Sequence, residues 1–161
     1  MTKMLRRVEL PATFAGSLYL SSMPGRYGRL ENDVAEASAE RISRVVCLAP
    51  RDEIERKSVE YAHALERGSL PWAIEQYPLP DYGVPDDPQG FATFVKAVAA
   101  YLRRGESILI HCGAGVGRTG MTAACILITA GCSYQDALNR IKKAGSIPET
   151  PGQSEVVRGF A

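Results

Sequence analysis

Histidine, tryptophan and surplus charge are all scarce in this chain. It has two histidines and one tryptophan, and its 19 Lys and Arg against 18 Asp and Glu leave a net charge of +1. Without a basic excess there is no electrostatic footprint for a polyanion, and nucleic acid is not expected as a partner. His63 and His111 lie far apart, and Cys47, Cys112, Cys125 and Cys132 show no ligand spacing, so no metal site is expected. The same cysteines form no disulfide framework, which fits a reducing compartment and a cytoplasmic location. Lys3, Arg6 and Arg7 are followed by no long apolar segment, which argues against a signal peptide. The apolar stretch after Thr119 is short and broken by threonine, so no membrane association is expected. Repeats, linkers and low-complexity segments are absent as well.

What is present is the composition of an ordinary globular protein. The 161 residues are 45% hydrophobic and 23% charged, enough to build one core. Residues 1–161 are expected to form a single domain and a monomer. Gly16 to Leu20, Ser43 to Leu48, Ala73 to Tyr77 and Ser107 to Ile110 read as strands. Between them, Asn32 is expected to cap a helix reaching about Arg41, and Asp52 to cap one running from Glu53 to Arg67, ended by Gly68. His63 falls in that second helix and reads as structural. Gln89 to Arg104 places Phe91, Phe94, Val95, Val98 and Leu102 on one helix face. Ser133 with Asp136 is a capping-box-like start, and a last helix is expected from Pro151 to Phe160. Alternating strands and helices argue for an α/β fold: a three-layer sandwich with a central, mostly parallel, twisted sheet between helices.

The densest chemistry lies after the strand at 107–110. His111-Cys112-Gly113-Ala114-Gly115-Val116-Gly117-Arg118-Thr119-Gly120 puts a thiol and a guanidinium six positions apart across a glycine-rich bend, with a helix-length apolar run behind it, closed by Gly131. A helix N-terminus offers unpaired N–H groups and partial positive charge, which favour an anion. Gly113, Gly115 and Gly117 let successive amides turn inward, so residues 113 to 117 form a candidate phosphate nest. Arg118 adds a fork for two phosphate oxygens. The same field favours a thiolate at Cys112, a nucleophile for phosphoryl transfer. Thr119 is placed to donate to that sulfur, and His111 to orient the loop through its ring nitrogens. The bland alternatives are a packed cysteine at 112 and a surface ion-pair partner at 118.

A phosphate ester also needs a proton for its departing oxygen. Leu79-Pro80-Asp81-Tyr82-Gly83-Val84-Pro85 is rich in turn formers and reads as a loop that carries Asp81 as a general acid, with Asp86 and Asp87 as rivals.

Residues 111–120 resemble the Cys-x5-Arg-Ser/Thr signature of the protein tyrosine phosphatase superfamily, which includes the dual-specificity phosphatases. Residues 79–85 resemble its mobile general-acid loop, with leucine in place of the usual tryptophan, and this favours Asp81 over its rivals. Glu149-Thr150-Pro151-Gly152-Gln153 is similar to the family segment whose glutamines position the hydrolytic water. Here the first such position is Glu149 and the second Gln153; a carboxylate at 149 would repel a phosphate unless it points away. For Gln153 the alternative is an exposed residue at a helix start.

The resemblance implies a cysteine-dependent phosphatase that needs no cofactor, forms a phosphocysteine intermediate and acts on a phosphoprotein or phosphopeptide, with phosphotyrosine favoured and dual specificity open. Relatives that act on phosphoinositides carry basic residues inside the loop, whereas positions 113 to 117 here are neutral. Arg26, Arg29, Arg51 and Lys57 are candidates to line the cleft. A phosphate-binding module without turnover is the rival class, and Glu149 is the feature that leans toward it. Cys47 reads as a packed core cysteine, with a reversible disulfide to Cys112 as the alternative.

Overall fold

Strands and helices alternate along most of the chain. In the computed structural model, which describes residues 3–161, the order is β1 (Arg6–Val8), β2 (Ser17–Ser21), α1 (Leu30–Ala39), β3 (Arg44–Cys47), α2 (Arg51–Lys57), α3 (Val59–Arg67), β4 (Ala73–Gln76), α4 (Pro88–Arg103), β5 (Ser107–His111), α5 (Gly117–Thr129), α6 (Tyr134–Lys143) and α7 (Pro151–Arg158). The sheet order is β1-β2-β5-β3-β4. Strands β2, β5, β3 and β4 are parallel neighbours, and β1 adds an antiparallel edge.

The alternation of side chains along each strand creates the two flanking layers. Leu18, Leu20, Val46, Ile108 and Ile110 face a core shared with Phe91, Val95 and Val98 of α4 and Met121 and Ala124 of α5. Tyr19, Val45, Cys47 and Leu109 face the opposite core, with Ala37 of α1, Ile54 of α2 and Tyr61 of α3. The register agrees: Leu20 and Val46 both pair with Ile110, and Tyr19 and Val45 with Leu109. Helix α5 is buried from Gly117 through Ile128, as its nearly continuous apolar sequence requires. The expected sandwich with a mostly parallel sheet is the observed fold.

Several local expectations are corrected. Asn32 caps nothing: α1 starts two residues earlier, behind Arg29, and has no side-chain cap. The neighbouring Asp33 instead accepts the Gly25 N–H at 2.8 Å. Asp52 sits inside the first turn of α2, with Pro50 at the N-cap. The helix expected over 53–67 is two helices, broken at Ser58, whose backbone is extended at φ −154°. The Ser58 hydroxyl donates to the Pro24 carbonyl at 2.8 Å, a tertiary bond that local pattern does not reveal. Helix α5 begins at Gly117, before rather than after Gly120. Strand β1 was not expected, because its three residues carry two arginines. Gly68 does end α3, in the left-handed region at φ 61°.

The parallel strands all end on one side of the sheet, where their crevice collects the following loops. The loop after β5 holds Cys112, the loop after β4 holds Asp81, and α2 follows β3. At the other side Gly16 brings β2 against the α4–β5 connection: its N–H donates to Leu102 O at 2.9 Å. A Cβ there would fall 2.7 Å from that oxygen and onto the Glu106 carbonyl. Gly16→Ala is therefore expected to cost roughly 2 kcal/mol or more, as strained overpacking does. Gly28→Ala, where a Cβ meets nothing within 4 Å, should leave the thermal midpoint unchanged.

Candidate active site

Residues 112–116 cross from β5 to α5, and the carbonyls of Cys112, Gly113, Gly115 and Val116 are each held by a donor. Cys112 O accepts from His111 Nδ1 at 3.0 Å. Gly113 O accepts from Met23 N at 3.1 Å, and Val116 O from Gly120 N at 2.8 Å and Ile147 N at 3.2 Å. Gly115 O accepts from Ser146 Oγ and from Arg6 Nη2, both at 2.6 Å. No peptide is cis. In a trans peptide the N–H points opposite to the C=O, so the N–H groups of Gly113, Ala114, Val116 and Gly117 point to the inner side. Among the described residues, none of the N–H groups from 113 to 117 has a protein acceptor. Gly115 takes φ 77°, and a Cβ there would collide with the Ser21 backbone, so only glycine fits.

Cys112 lies beside this cradle, 2% exposed, with the Thr119 hydroxyl 3.1 Å from its sulfur. Arg118 is equally buried. Its Nη1 and Nη2 each hold one oxygen of Glu53 at 2.8 Å, a bidentate pair. Nη1 also donates to Leu79 O at 3.0 Å, and Nη2 to Asp81 Oδ1 at 3.1 Å. Lys57 Nζ donates to Glu53 Oε2 at 2.9 Å and stands 3.9 Å from Asp81. Asp81 sits on a turn closed by Gly83 N–H to Pro80 O at 2.8 Å, with Tyr82 at φ 59°.

Residues 18–156 match the family described as the Swiss Army Knife protein, DSP-PTPase phosphatase domain. The chain belongs to that family. It is similar to tyrosine-protein phosphatase 1 of Caenorhabditis elegans, 40% identical over 83 residues, which cover 46% of this chain and 8% of that protein. It is similar also to the putative tyrosine phosphatase 067L of Invertebrate iridescent virus 3, 39% identical over 70 residues, 41% of this chain and 29% of that one. The chain thus spans under a third of the length of these relatives. Among solved structures, its fold resembles kinase associated phosphatase with its catalytic-site cysteine changed to serine. The TM-score is 0.84 at 21% identity, over 99% of this chain and 95% of that one. It resembles Tk-PTP in the active form at a TM-score of 0.74 and 23% identity, over 99% and 97%.

Within this DSP-PTPase framework the expected residues fall as follows. Cys112, Arg118, Thr119 and Asp81 come together. Asp87 is the N-cap of α4 and accepts the Gly90 N–H at 3.0 Å; of the three candidate acids, Asp81 contacts Arg118. Gln153 is fully buried rather than exposed. Its amide accepts from Glu149 N at 2.7 Å and donates to Gly83 O at 3.2 Å, tying α7 to the acid loop. Glu149 does not point away: its carboxylate lies against Gly117, where a Cβ would overlap it. Of the four candidate cleft cations, Lys57 reaches the site. Arg26 stacks on Tyr27, 4.7 Å from the ring centroid, whereas Arg29 pairs with Glu31 and Arg51 with Glu55 and Glu66. Cys47 is a packed core cysteine whose thiol burial pushes up to about 11.

His111 is fully buried and, as expected, works through its ring nitrogens. A carbonyl can only accept, so Nδ1 carries the hydrogen toward Cys112 O, and Nε2 accepts from the Tyr61 hydroxyl at 2.7 Å. Burial brings its pKa down to about 4, which keeps this neutral tautomer at pH 7.

Glu53 was missed in the sequence, where it reads as one more charge on an amphipathic helix. The one local sign is the Glu53–Lys57 spacing of four. Burial alone would raise its pKa, but hydrogen bonds from Arg118 and Lys57, with their charges, hold it at about 2, below the ordinary 4.5. A carboxyl depressed on folding stabilises the fold fully above about pH 4.5, and that contribution is lost as pH falls toward 2. Glu53→Gln leaves the buried Arg118 without its buried anion, with the half-exposed Asp81 as its remaining carboxylate. It should cost roughly 3 kcal/mol at pH 7, flatten the pH dependence of the melting point below pH 4.5, and lower kcat/KM on a phosphate monoester by about tenfold or more through loss of positioning.

Proposed function

We propose that this protein is a cysteine-dependent phosphatase that hydrolyses phosphate monoesters on proteins, phosphotyrosine foremost and phosphoserine or phosphothreonine in addition. The observation that carries the reading is the loop that begins at Cys112, whose N–H groups from 113 to 117 have no protein acceptor among the described residues, followed directly by Arg118, which contacts Asp81 at 3.1 Å. Family membership and the printed names of its relatives support it.

In the first step the Cys112 thiolate attacks phosphorus and the P–O ester bond breaks. Asp81, protonated, gives its proton to the departing oxygen. The loop N–H groups and Arg118 hold the non-bridging oxygens in the transition state. In the second step water attacks the phosphocysteine and passes a proton to Asp81, and the P–S bond breaks. The Thr119 hydroxyl, 3.1 Å from sulfur, stabilises the leaving thiolate. Gln153, held between Glu149 and Gly83, is the group that positions the acid loop and the water. No group of three or more metal-ligating side chains occurs among the described residues, and the steps above use only this chain's own groups and water. Among the described residues no helix is long and apolar enough to cross a membrane. We read residues 1–161 as one catalytic unit, acting as a monomer in the cytoplasm.

Matched phosphotyrosine and phosphothreonine peptides test the proposal. Wild-type protein is expected to release phosphate from the first faster than from the second, and Cys112→Ser from neither. Equal release by wild type and Cys112→Ser would overturn it; release from neither peptide by reduced, folded wild type would move the substrate off proteins. Asp81→Asn is expected to slow esters with poor leaving groups by roughly 100-fold while sparing activated aryl phosphates, as loss of a general acid does. Equal loss on both classes would remove Asp81 from that role.

A further inference from the structure

We propose that Arg6, on the edge strand, is a positioning residue for phosphate binding: by holding the Gly115 carbonyl outward it turns the Val116 N–H into the anion cradle. The inference rests on reading residues 112–118 as the phosphate site.

Gly115 takes φ 77° where a Cβ would collide with the Ser21 backbone, and a glycine does not by its own residue type favour one peptide orientation strongly. The orientation is imposed from outside. Arg6 Nη2 and Ser146 Oγ both donate to the Gly115 oxygen at 2.6 Å. The peptide that carries this oxygen also carries the Val116 N–H, on its opposite side. Pinning the carbonyl therefore aims the N–H.

The other end of the guanidinium is anchored as firmly. Nη1 donates to the Ala144 carbonyl and, at 3.0 Å, to Ser146 Oγ. Gly145, at φ 82°, makes room for it: a Cβ there would stand 2.8 Å from Nη1. Arg6 thus ties the phosphate loop to the segment after α6, which also docks Ile147 N–H onto Val116 O at 3.2 Å and leads to Glu149 and Gln153. A planar fork spans the two anchors where a single ammonium does not.

Arg6 also carries charge. Among the described residues no carboxylate lies within ion-pair distance of it, since Arg6 is in none of the salt bridges. Its partners are carbonyls and a hydroxyl. Burial lowers its pKa, and the negative charge of Cys112 pulls the other way. The positive charge behind the loop is consequently not cancelled by a side chain.

The test separates positioning from bulk stability. Inorganic phosphate is titrated calorimetrically into Cys112→Ser protein, where binding needs no turnover, with Arg6→Met, Arg6→Lys, Ser146→Ala or Arg7→Met added. Arg6→Met is expected to weaken phosphate about tenfold or more, as loss of a charged hydrogen-bond donor does. Arg6→Lys should recover part of that loss, Ser146→Ala should weaken phosphate less than Arg6→Met, and Arg7→Met, on the opposite face of β1, should change nothing. In the Cys112 protein the same order is expected in kcat/KM on a phosphotyrosine peptide. Phosphate affinity within twofold of the parent in Arg6→Met, at whatever melting point, overturns the proposal; should that variant not fold, the same result in Arg6→Lys does so. Phosphate binding that depends on Arg6, with no turnover by the folded, reduced protein that retains Cys112, would leave this inference standing and defeat the phosphatase reading alone.

Discussion

The buried pair between Arg118 and Glu53 is the joint on which the site hangs. It connects the first turn of α5 to α2, across the ends of β5 and β3, with two bonds of 2.8 Å. Taking two charges out of water is costly, and a pair of this kind is retained only where its geometry is good and the remaining hydrogen-bonding capacity is used. Here it is used: Leu79 O and Asp81 accept from the guanidinium, and Lys57 donates to the carboxylate. Each of those further bonds fixes a second element. The Leu79 carbonyl ties down the start of the acid loop, whose side chain is 1% exposed in the core.

The same logic applies to the backbone. A cradle of inward N–H groups exists only if each opposing carbonyl finds a donor elsewhere, since buried carbonyls are rarely left unpaired. Four different parts of the fold supply those donors: the ring of His111, the Met23 amide after β2, the Ile147 amide before α7, and Arg6 with Ser146. Tyr61 on α3 reaches the loop at one remove, through His111 Nε2. The loop is a local sequence motif whose conformation is enforced globally.

That division explains what was legible in the sequence. The nest, Cys112, Arg118 and Thr119 lie within eight positions of one another, and Asp81 sits among turn formers, so spacing and residue type announce them. The layers were legible because Val45-Val46 and Ile108-Leu109-Ile110 are apolar runs rich in β-branched residues and α4 has a clear apolar face. Glu53 and Arg6 were not, because their partners lie 65 and 109 residues away and a charged side chain carries no mark of the contact it will make. The break at Ser58 and the strand at Arg6–Val8 were hidden for the same reason: each depends on a tertiary bond or a neighbouring strand, which outweighs local propensity.

The pairing also decides where the net positive field of the site comes from. Arg118 and Lys57 face Glu53 and Asp81, so two cations meet two carboxylates on the acid-loop side. On the proposed reading an incoming phosphate therefore draws on the loop N–H groups, the N-terminal end of α5 and the unpaired charge of Arg6, against the Glu149 carboxylate that lies beside Gly117. It also competes for Arg118. The guanidinium has five N–H bonds; Glu53 takes two, Leu79 O one and Asp81 one, which leaves Nε–H. A phosphate that binds this fork through two oxygens uses Nε–H together with the hydrogen now given to Asp81, because the Glu53 and Leu79 bonds lie on the buried side. On the proposed reading, arrival of the anion and release of Asp81 from Arg118 are then one exchange, at a carboxyl that has Lys57 3.9 Å away.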